Sequence, residues 1–528
     1  MHGRRSLLRC AGAAACIALL AACSGGTPAL PPARGAQALQ DVSFTMHWPS
    51  RRDLAHLRRP LYISPSTLSV VIEVNSDPTL TVKADNPSTA GSTATSTVNV
   101  AAPVGSDTFY FTLWDGTGGT GNELGQAQVT QTVVAGKVNT IGATVNGVLA
   151  KIGISPDAGQ PFLEVGTNSG GTPAFTMVGD VPATFAISPL DADGNVIVAP
   201  GAVPSISLAG SDPSLAVAQT SGNHYTVQVV APPSPGVHPS LVASGSDGNG
   251  FTATTHVPLV VSPAIFVASA NGTSGLVQIL DGSGTPVPLS GAFAGLQHPN
   301  GIAYDAADRR VFVTDTAGGG TVFAFTEDGK AAGIAPIGFS GATAIAYDPQ
   351  NGQIYVTAQA QNTVGVFTVQ GAAVTASGFA GLNAPNGIAL SGSNLCVTSA
   401  TAGQNPACFT ASGAAAPPTV WQSSTIASTA VAYDPVRNAL WIAGNASGSP
   451  SLTGYDASNG YSQYAYTSGL TSPAGVAFNP MLQEVAVLDG GSANILEFQD
   501  TWPYLQDTAS TIPLPAGTGT PAAFTLTY

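Results

Sequence analysis

Imidazole is the side chain best suited to moving protons near neutral pH, and six histidines follow residue 23: His47, His56, His224, His238, His256 and His298. None stands at a spacing that would bring two rings onto one metal. No G-x-S-x-G elbow, H-E-x-x-H pair or phosphate-cradling glycine loop occurs, so no residue is assigned a catalytic role. The acidic stretch Asp191-Ala192-Asp193-Gly194-Asn195 offers oxygens to a cation but lacks the third oxygen ligand and the distal Glu of an EF-hand loop. As a hairpin turn it is well composed, because Asp, Gly and Asn tolerate left-handed backbone. His298 draws notice for its position, directly before Pro299 and Asn300, where a repeated pattern begins.

Whatever chemistry these groups do must be positioned by that repeat. Asn300-Gly301-Ile302-Ala303-Tyr304-Asp305 returns as Thr343-Ala344-Ile345-Ala346-Tyr347-Asp348 and Asn386-Gly387-Ile388-Ala389-Leu390-Ser391. It continues as Thr429-Ala430-Val431-Ala432-Tyr433-Asp434, Ala474-Gly475-Val476-Ala477-Phe478-Asn479 and Ala522-Ala523-Phe524-Thr525-Leu526-Thr527, at steps of 43, 43, 43, 45 and 48 residues. Short alternating strands at a period in the forties define a β-propeller with one blade per repeat. A second register, including Ile265–Ser269, Val311–Asp315 and Val485–Asp489, supplies the second strand of each blade. It begins one blade earlier and ends one step sooner than the first. The chain is therefore expected to enter at the second strand of blade one, with Phe524–Tyr528 returning to provide that blade's inner strand and close a six-bladed ring over residues 263–528.

Pro299-Asn300-Gly301-Ile302-Ala303-Tyr304-Asp305 followed by Arg310-Val311-Phe312-Val313-Thr314-Asp315 resembles an NHL or YVTN-type propeller repeat, as does Asp348-Pro349 followed by Gly352 to Thr357. The resemblance covers about half the chain and implies the fold; such propellers host binding proteins, lyases and lactonases alike. Similar lactonase-type propellers hold a divalent metal at the central channel with Asn and carboxylate side chains. Asn300 and Asn386 match the Pro-Asn-Gly element of that family, while Asp315 and Asp489 end second strands, one strand farther from the axis, and the inner ring carries no Asp or Glu. No metal ligand is therefore assigned, a divalent ion being what the lactonase resemblance alone would supply. A lyase-type propeller would use a histidine placed like His298 as general base. The candidate ligand-binding set on the channel face is thus Asn300, Asn386, Asp315, Asp489 and His298. The structural alternative is that Asn before Gly shapes a turn and Asp caps a strand end.

Upstream, residues 61–148 and 149–262 each alternate apolar and polar residues over short runs separated by Gly, Asn and Asp, which indicates two β-sandwiches. The second resembles bacterial immunoglobulin-like domains in pattern. Residues 24–60 mix Pro, Ala, Gly and Arg and are expected to form a tether. Arg4, Arg5 and Arg9 precede an apolar run from Ala11 to Leu20, and Leu20-Ala21-Ala22-Cys23 resembles a bacterial lipobox ending a signal segment of 23 residues. That resemblance implies lipidation at Cys23, a membrane anchor and, with Ser24 following, the outer membrane of the cell envelope. No later apolar run approaches the roughly 20 residues a spanning helix needs.

Composition agrees with an all-β chain: 62 Gly, 40 Pro and 8% charged residues. Residues 61–528 hold seven Lys and Arg against 27 Asp and Glu, the opposite of the basic footprint that nucleic-acid binding needs. Arg34, Arg51, Arg52, Arg58 and Arg59 cluster beside the expected anchor, where they could meet anionic head groups or simply solvate a linker. Beyond Cys23 two cysteines remain, Cys396 and Cys408, placed on neighbouring strands within disulfide range. The expected role is a non-enzymatic binding or display module for a protein, peptide or glycan ligand. The rival is a lactone hydrolase or lyase using Asn300, Asn386, Asp315 and His298.

Overall fold

In the computed structural model the described residues are 38–48, 63–88, 93–167, 171, 173–233, 237–271, 274–376, 378–416, 426–456, 462–467, 469–479, 482–501 and 504–527. Cys23, its signal segment and the arginines from Arg34 to Arg59 lie outside them. Among the described residues no helix is long and apolar enough to cross a membrane.

The expected tether contains a strand. Leu39–Trp48 buries Val42, Phe44, Met46 and Trp48 on one face and pairs along its whole length with Ala94–Pro103, Val42 opposite Val100. Burying four such side chains is worth roughly 1.5–3 kcal/mol each, so this segment belongs to the first sandwich and not to a linker. Its sheet packs on a second, five-stranded one built around Ser69–Val74 and Gly105–Trp114, with Phe44 edge-on to Phe109 and Phe111 in the core between them. The alternation from Asn139 to Val145 predicts a strand, but only the short pieces Asn139–Thr140 and Asn146–Gly147 form; Ile141, Ala143 and Val145 still pack against the core. The second sandwich faces a five-stranded sheet with a four-stranded one across a core holding Phe175 and Phe185. Its turn at Asp191 is closed by hydrogen bonds to the carboxylate. Asp191 Oδ1 accepts the N–H groups of Asp193 and Asn195, and its Oδ2 accepts the Ser64 hydroxyl of the first sandwich at 2.6 Å.

Among the described residues from Ala264 to Thr527, six sheets follow one another. Their first strands are Pro299–Asp305, Ala342–Asp348, Pro385–Ser391, Ile426–Asp434, Pro473–Asn479 and, for the first sheet, the C-terminal Thr520–Thr527. Each first strand packs against the next, and the last returns to the first. The expected closure is present: Thr520–Thr527 lies antiparallel to Ala264–Asn271 with Ile265 opposite Leu526, which removes the bare edges of an open stack. This is the arrangement of a β-propeller.

The repeated phrase explains its own geometry. Its apolar residues fill the seams between sheets, as where Ala303 and Phe312 meet Ile345 and Ile354. Its sixth residue folds the hairpin that follows. Asp305, Asp348, Asp434 and Asn479 are all buried, and each accepts the N–H of a residue two or three positions on, at 2.8–3.1 Å, the side-chain turn that Asx residues favour.

Candidate functional site

The six first strands surround a cavity of about 720 Å³. The opening residues of these strands reach it through a shared irregularity. Pro299 pairs with Asp315 and Gly301 with Thr314, leaving Asn300 as the extra residue of a β-bulge. Asn386, Thr429 and Ala474 are the extra residues of equivalent bulges. A bulge adds one residue to one strand and re-aims its side chain, and Pro at the strand start costs no ladder bond. Three tiers of the phrase line the cavity. Asn300, Asn386 and Thr429 with Ala474 and Ala522 form a polar end, Ile302, Ile345, Ile388, Val431, Val476 and Phe524 a middle, and Tyr304, Tyr347, Leu390, Tyr433, Phe478 and Leu526 a largely aromatic end. Apart from these phenols, no lining residue is ionisable.

The five expected ligand-binding residues do not converge. Asn300 and Asn386 line the cavity. Asn386 is engaged with the next sheet, its Nδ2 donating to the Ser428 and Thr429 carbonyls at 3.1 and 3.3 Å. Thr429 Oγ1 hands the same kind of bond to the Pro473 carbonyl at 2.8 Å. Asp315 and Asp489 are absent from the lining and buried, at 2% and 0% exposure. Asp315 accepts the N–H groups of Gln297, His298 and Ala317 at 2.5, 3.0 and 2.9 Å. Asp489 accepts those of Thr471 and Ser472 together with the Thr471 hydroxyl at 2.6 Å. Burial works against the charged form of Asp489, but hydrogen bonds from Thr471, Ser472 and Ser492 outweigh it and hold the carboxyl below its ordinary range. Both carboxylates therefore fix the loop leading into a first strand, which is the strand-end role weighed against metal binding above. His298 is exposed and outside the lining; what ties it down is its backbone, bonded to Asp315 and Thr316. Among the described residues no group of three His, Cys, Asp or Glu side chains is placed to hold a metal.

A set of hydroxyls escaped the sequence reading. Thr314 Oγ1 accepts the Gly301 N–H and donates to the Thr343 carbonyl of the next sheet. Thr357 Oγ1 lies 2.8 Å from Thr343 Oγ1, and Thr398 Oγ1 lies 2.8 Å from Ser428 Oγ. The signal was the recurrent Val-Thr pair at 313–314, 356–357 and 397–398, a repeat of structural bonds that cross the seam at Thr314 and Thr398 and stay within the sheet at Thr357. Cys396 and Cys408 face one another across neighbouring strands and are bonded as a disulfide, as expected.

No protein-family model matches the chain, and no curated protein matches it. Among solved structures it is similar to virginiamycin B lyase from Staphylococcus aureus, at 15% identity over 43% of this chain and 73% of that one, with a TM-score of 0.33. It is similar to a candidate 6-phosphogluconolactonase from Bacteroides fragilis at 12% identity, over 50% and 98%, with a TM-score of 0.37. A protein of unknown function from Bacteroides thetaiotaomicron is 14% identical over 70% and 94%, with a TM-score of 0.39. Likenesses of this size carry no argument about activity.

Proposed function

We propose that this chain is a cell-envelope lipoprotein, lipidated at Cys23 and held at the outer membrane, in which two immunoglobulin-like sandwiches carry a six-bladed propeller that binds or displays and does not catalyse. The observation that carries the proposal is the chemistry of the cavity: amide, hydroxyl, aliphatic and phenol groups line it, with Asp315 and Asp489 committed to backbone donors and Asp180 accepting the Tyr304 hydroxyl. Such a lining suits an uncharged segment of a protein, peptide or glycan, for which a few polar groups fix orientation within an apolar wall. Hydrolysis or elimination needs an acid, a base or a hard-cation site at the reacting atoms.

A thermal-shift series with Ca²⁺, Mn²⁺ and Zn²⁺ tests the proposal. A resident metal at a hundred times its dissociation constant would stabilise the fold by about 2.7 kcal/mol, a rise of several degrees. We expect no such rise. A metal-dependent rise abolished by Asn300→Ala with Asn386→Ala, or lactone hydrolysis lost in the same variant, would overturn the non-enzymatic assignment. Incorporation of labelled palmitate that disappears in Cys23→Ser tests the anchor separately.

A further inference from the structure

The propeller is joined to the second sandwich through a buried acid pair. The turn after Pro173–Val178 brings Gly179 and Asp180 against the lower ends of the first two sheets, where Phe162, Val178 and Val181 share a core with Phe266, Ile302 and Tyr304. Asp180 is 7% exposed and accepts the Tyr304 hydroxyl at 2.8 Å. Facing it is Glu327, 5% exposed, whose Oε1 is buried without a hydrogen-bond partner. Gly179 has φ +71°, and a Cβ there would lie 3.3 Å from that same Oε1, so the sandwich turn presses directly on the carboxyl. Glu327 also breaks the repeat. The equivalent turns are Asp281-Gly282-Ser283-Gly284, Thr368-Val369-Gln370-Gly371 and Thr410-Ala411-Ser412-Gly413, against Thr326-Glu327-Asp328-Gly329. A carboxyl thus stands where those three sheets carry Gly, Val or Ala; the same register place in the last sheet holds Asp500, but Glu327 is the one where the sandwich touches.

Two carboxyls this close and this dry cannot both be charged, whereas one proton between them supplies a hydrogen bond and removes the repulsion. We propose that Asp180 and Glu327 form a proton-operated interlock: with Glu327 protonated, the propeller is fixed on the second sandwich, and loss of that proton releases it. The groups facing Glu327 are Asp180 and Tyr304, with the Arg309 guanidinium favouring the charged form and the Thr527 hydroxyl bonded to Tyr304. Burial, then the bond and charge of Asp180, push the Glu327 carboxyl up to about 9, against the pull of Arg309 and Tyr304. The sign follows. A carboxyl raised in the folded state contributes stability that is complete below its ordinary value and is lost as pH rises through the raised one. The junction is therefore held at acid and neutral pH and opens on the alkaline side. Glu164 of the same sandwich is raised as well, by burial first and then by the charge of Asp281.

The test is solution scattering and calorimetric unfolding of the full chain between about pH 6 and about pH 9.5, where this linkage is expressed. The wild type is expected to show an alkaline step: the radius of gyration rises, and one transition holding sandwich and propeller together splits in two. Glu327→Gln, a neutral isostere, should lose the step and keep the fixed arrangement throughout. Asp180→Asn should shrink it by removing the facing charge, while Glu164→Gln should leave it in place. A wild type without the step, or a step of unchanged size in both Glu327→Gln and Asp180→Asn, would overturn the proposal. Should one variant fail to fold, the other still decides.

Discussion

Replacing Asp489 with Ala separates its two roles most sharply. The side chain is fully buried and serves as acceptor for the Thr471 and Ser472 N–H groups and the Thr471 hydroxyl. Truncation strands all three donors in a site closed to solvent. Each buried donor left unmade costs about 1–3 kcal/mol; since the loop can relax toward water, the lower end of that range is appropriate, giving a loss of about 3 kcal/mol. Asn retains one acceptor oxygen but turns an NH₂ toward an N–H, so Asp489→Asn should cost about half as much. Urea unfolding across pH reads both effects. The hydrogen bonds hold the folded carboxyl below its ordinary range, so its contribution is complete above that range and disappears as pH falls through the lowered value. The alanine variant should therefore be less stable at neutral pH and have a flatter acid limb than the wild type. A metal ligand at the channel would behave in the opposite manner, leaving metal-free stability within about 0.5 kcal/mol as an ordinary surface position does. A loss below about 1 kcal/mol with an unchanged acid limb would refute the capping role.

Removing the disulfide by Cys396→Ala with Cys408→Ala should lower stability by about 3 kcal/mol, the constraint expected for a closed loop of this length, measured as a shift in urea midpoint. Gly301→Ala places a Cβ 2.6 Å from the Thr343 carbonyl and 2.9 Å from Ala344 Cα, backbone atoms of the next sheet that cannot yield, so about 1–3 kcal/mol should be lost. Gly338→Ala meets nothing within 4 Å and should change stability by less than about 0.5 kcal/mol; equal effects at the two glycines would contradict the seam geometry. Deleting residues 520–527 strips the partner from Ala264–Asn271. Light scattering should then show self-association through the bared edge, and a monomer with unchanged unfolding cooperativity would contradict ring closure.

The propeller was legible because its information is local and repeated. Alternation marks the strands, the period marks the sheets, and the offset between the two strand series sends Phe524–Tyr528 back to the first blade, where Leu526 lies opposite Ile265. Leu39–Trp48 was missed even though Val42, Phe44, Met46 and Trp48 alternate perfectly. Its partner Ala94–Pro103 lies some fifty residues on, and the surrounding Pro and Arg outweighed four apolar residues. The reverse error came at Ile141, Ala143 and Val145, whose alternation reports that they face the core and not that their backbone joins a ladder. Period-two patterning measures burial; hydrogen bonding is set by a neighbour the local sequence does not contain.

The bonds that engage most of the site candidates have a reason tied to the repeat itself. Asn300, Asn386, Asp315 and Asp489 were chosen because they recur at corresponding places, yet recurrence in a ring of similar sheets most often reflects a need that every sheet shares. Each sheet must bend its first strand, fix the loop before it and bond to the next sheet. Asn386 and Thr429 meet the last need, Asp315 and Asp489 the second, and Asp305, Asp348 and Asp434 close the hairpins. A task performed once by the whole ring has to be written in residues that differ between copies. Glu327 is such a residue, a carboxyl at a position where Gly282, Val369 and Ala411 need none and that only Asp500 matches among the turns compared. Burying a carboxyl without a partner costs several kcal/mol unless it keeps its proton, and here it is retained at the contact with the second sandwich. Aligning the third-strand turns narrows the choice to Glu327 and Asp500 from sequence alone, and the contact with the second sandwich separates the two.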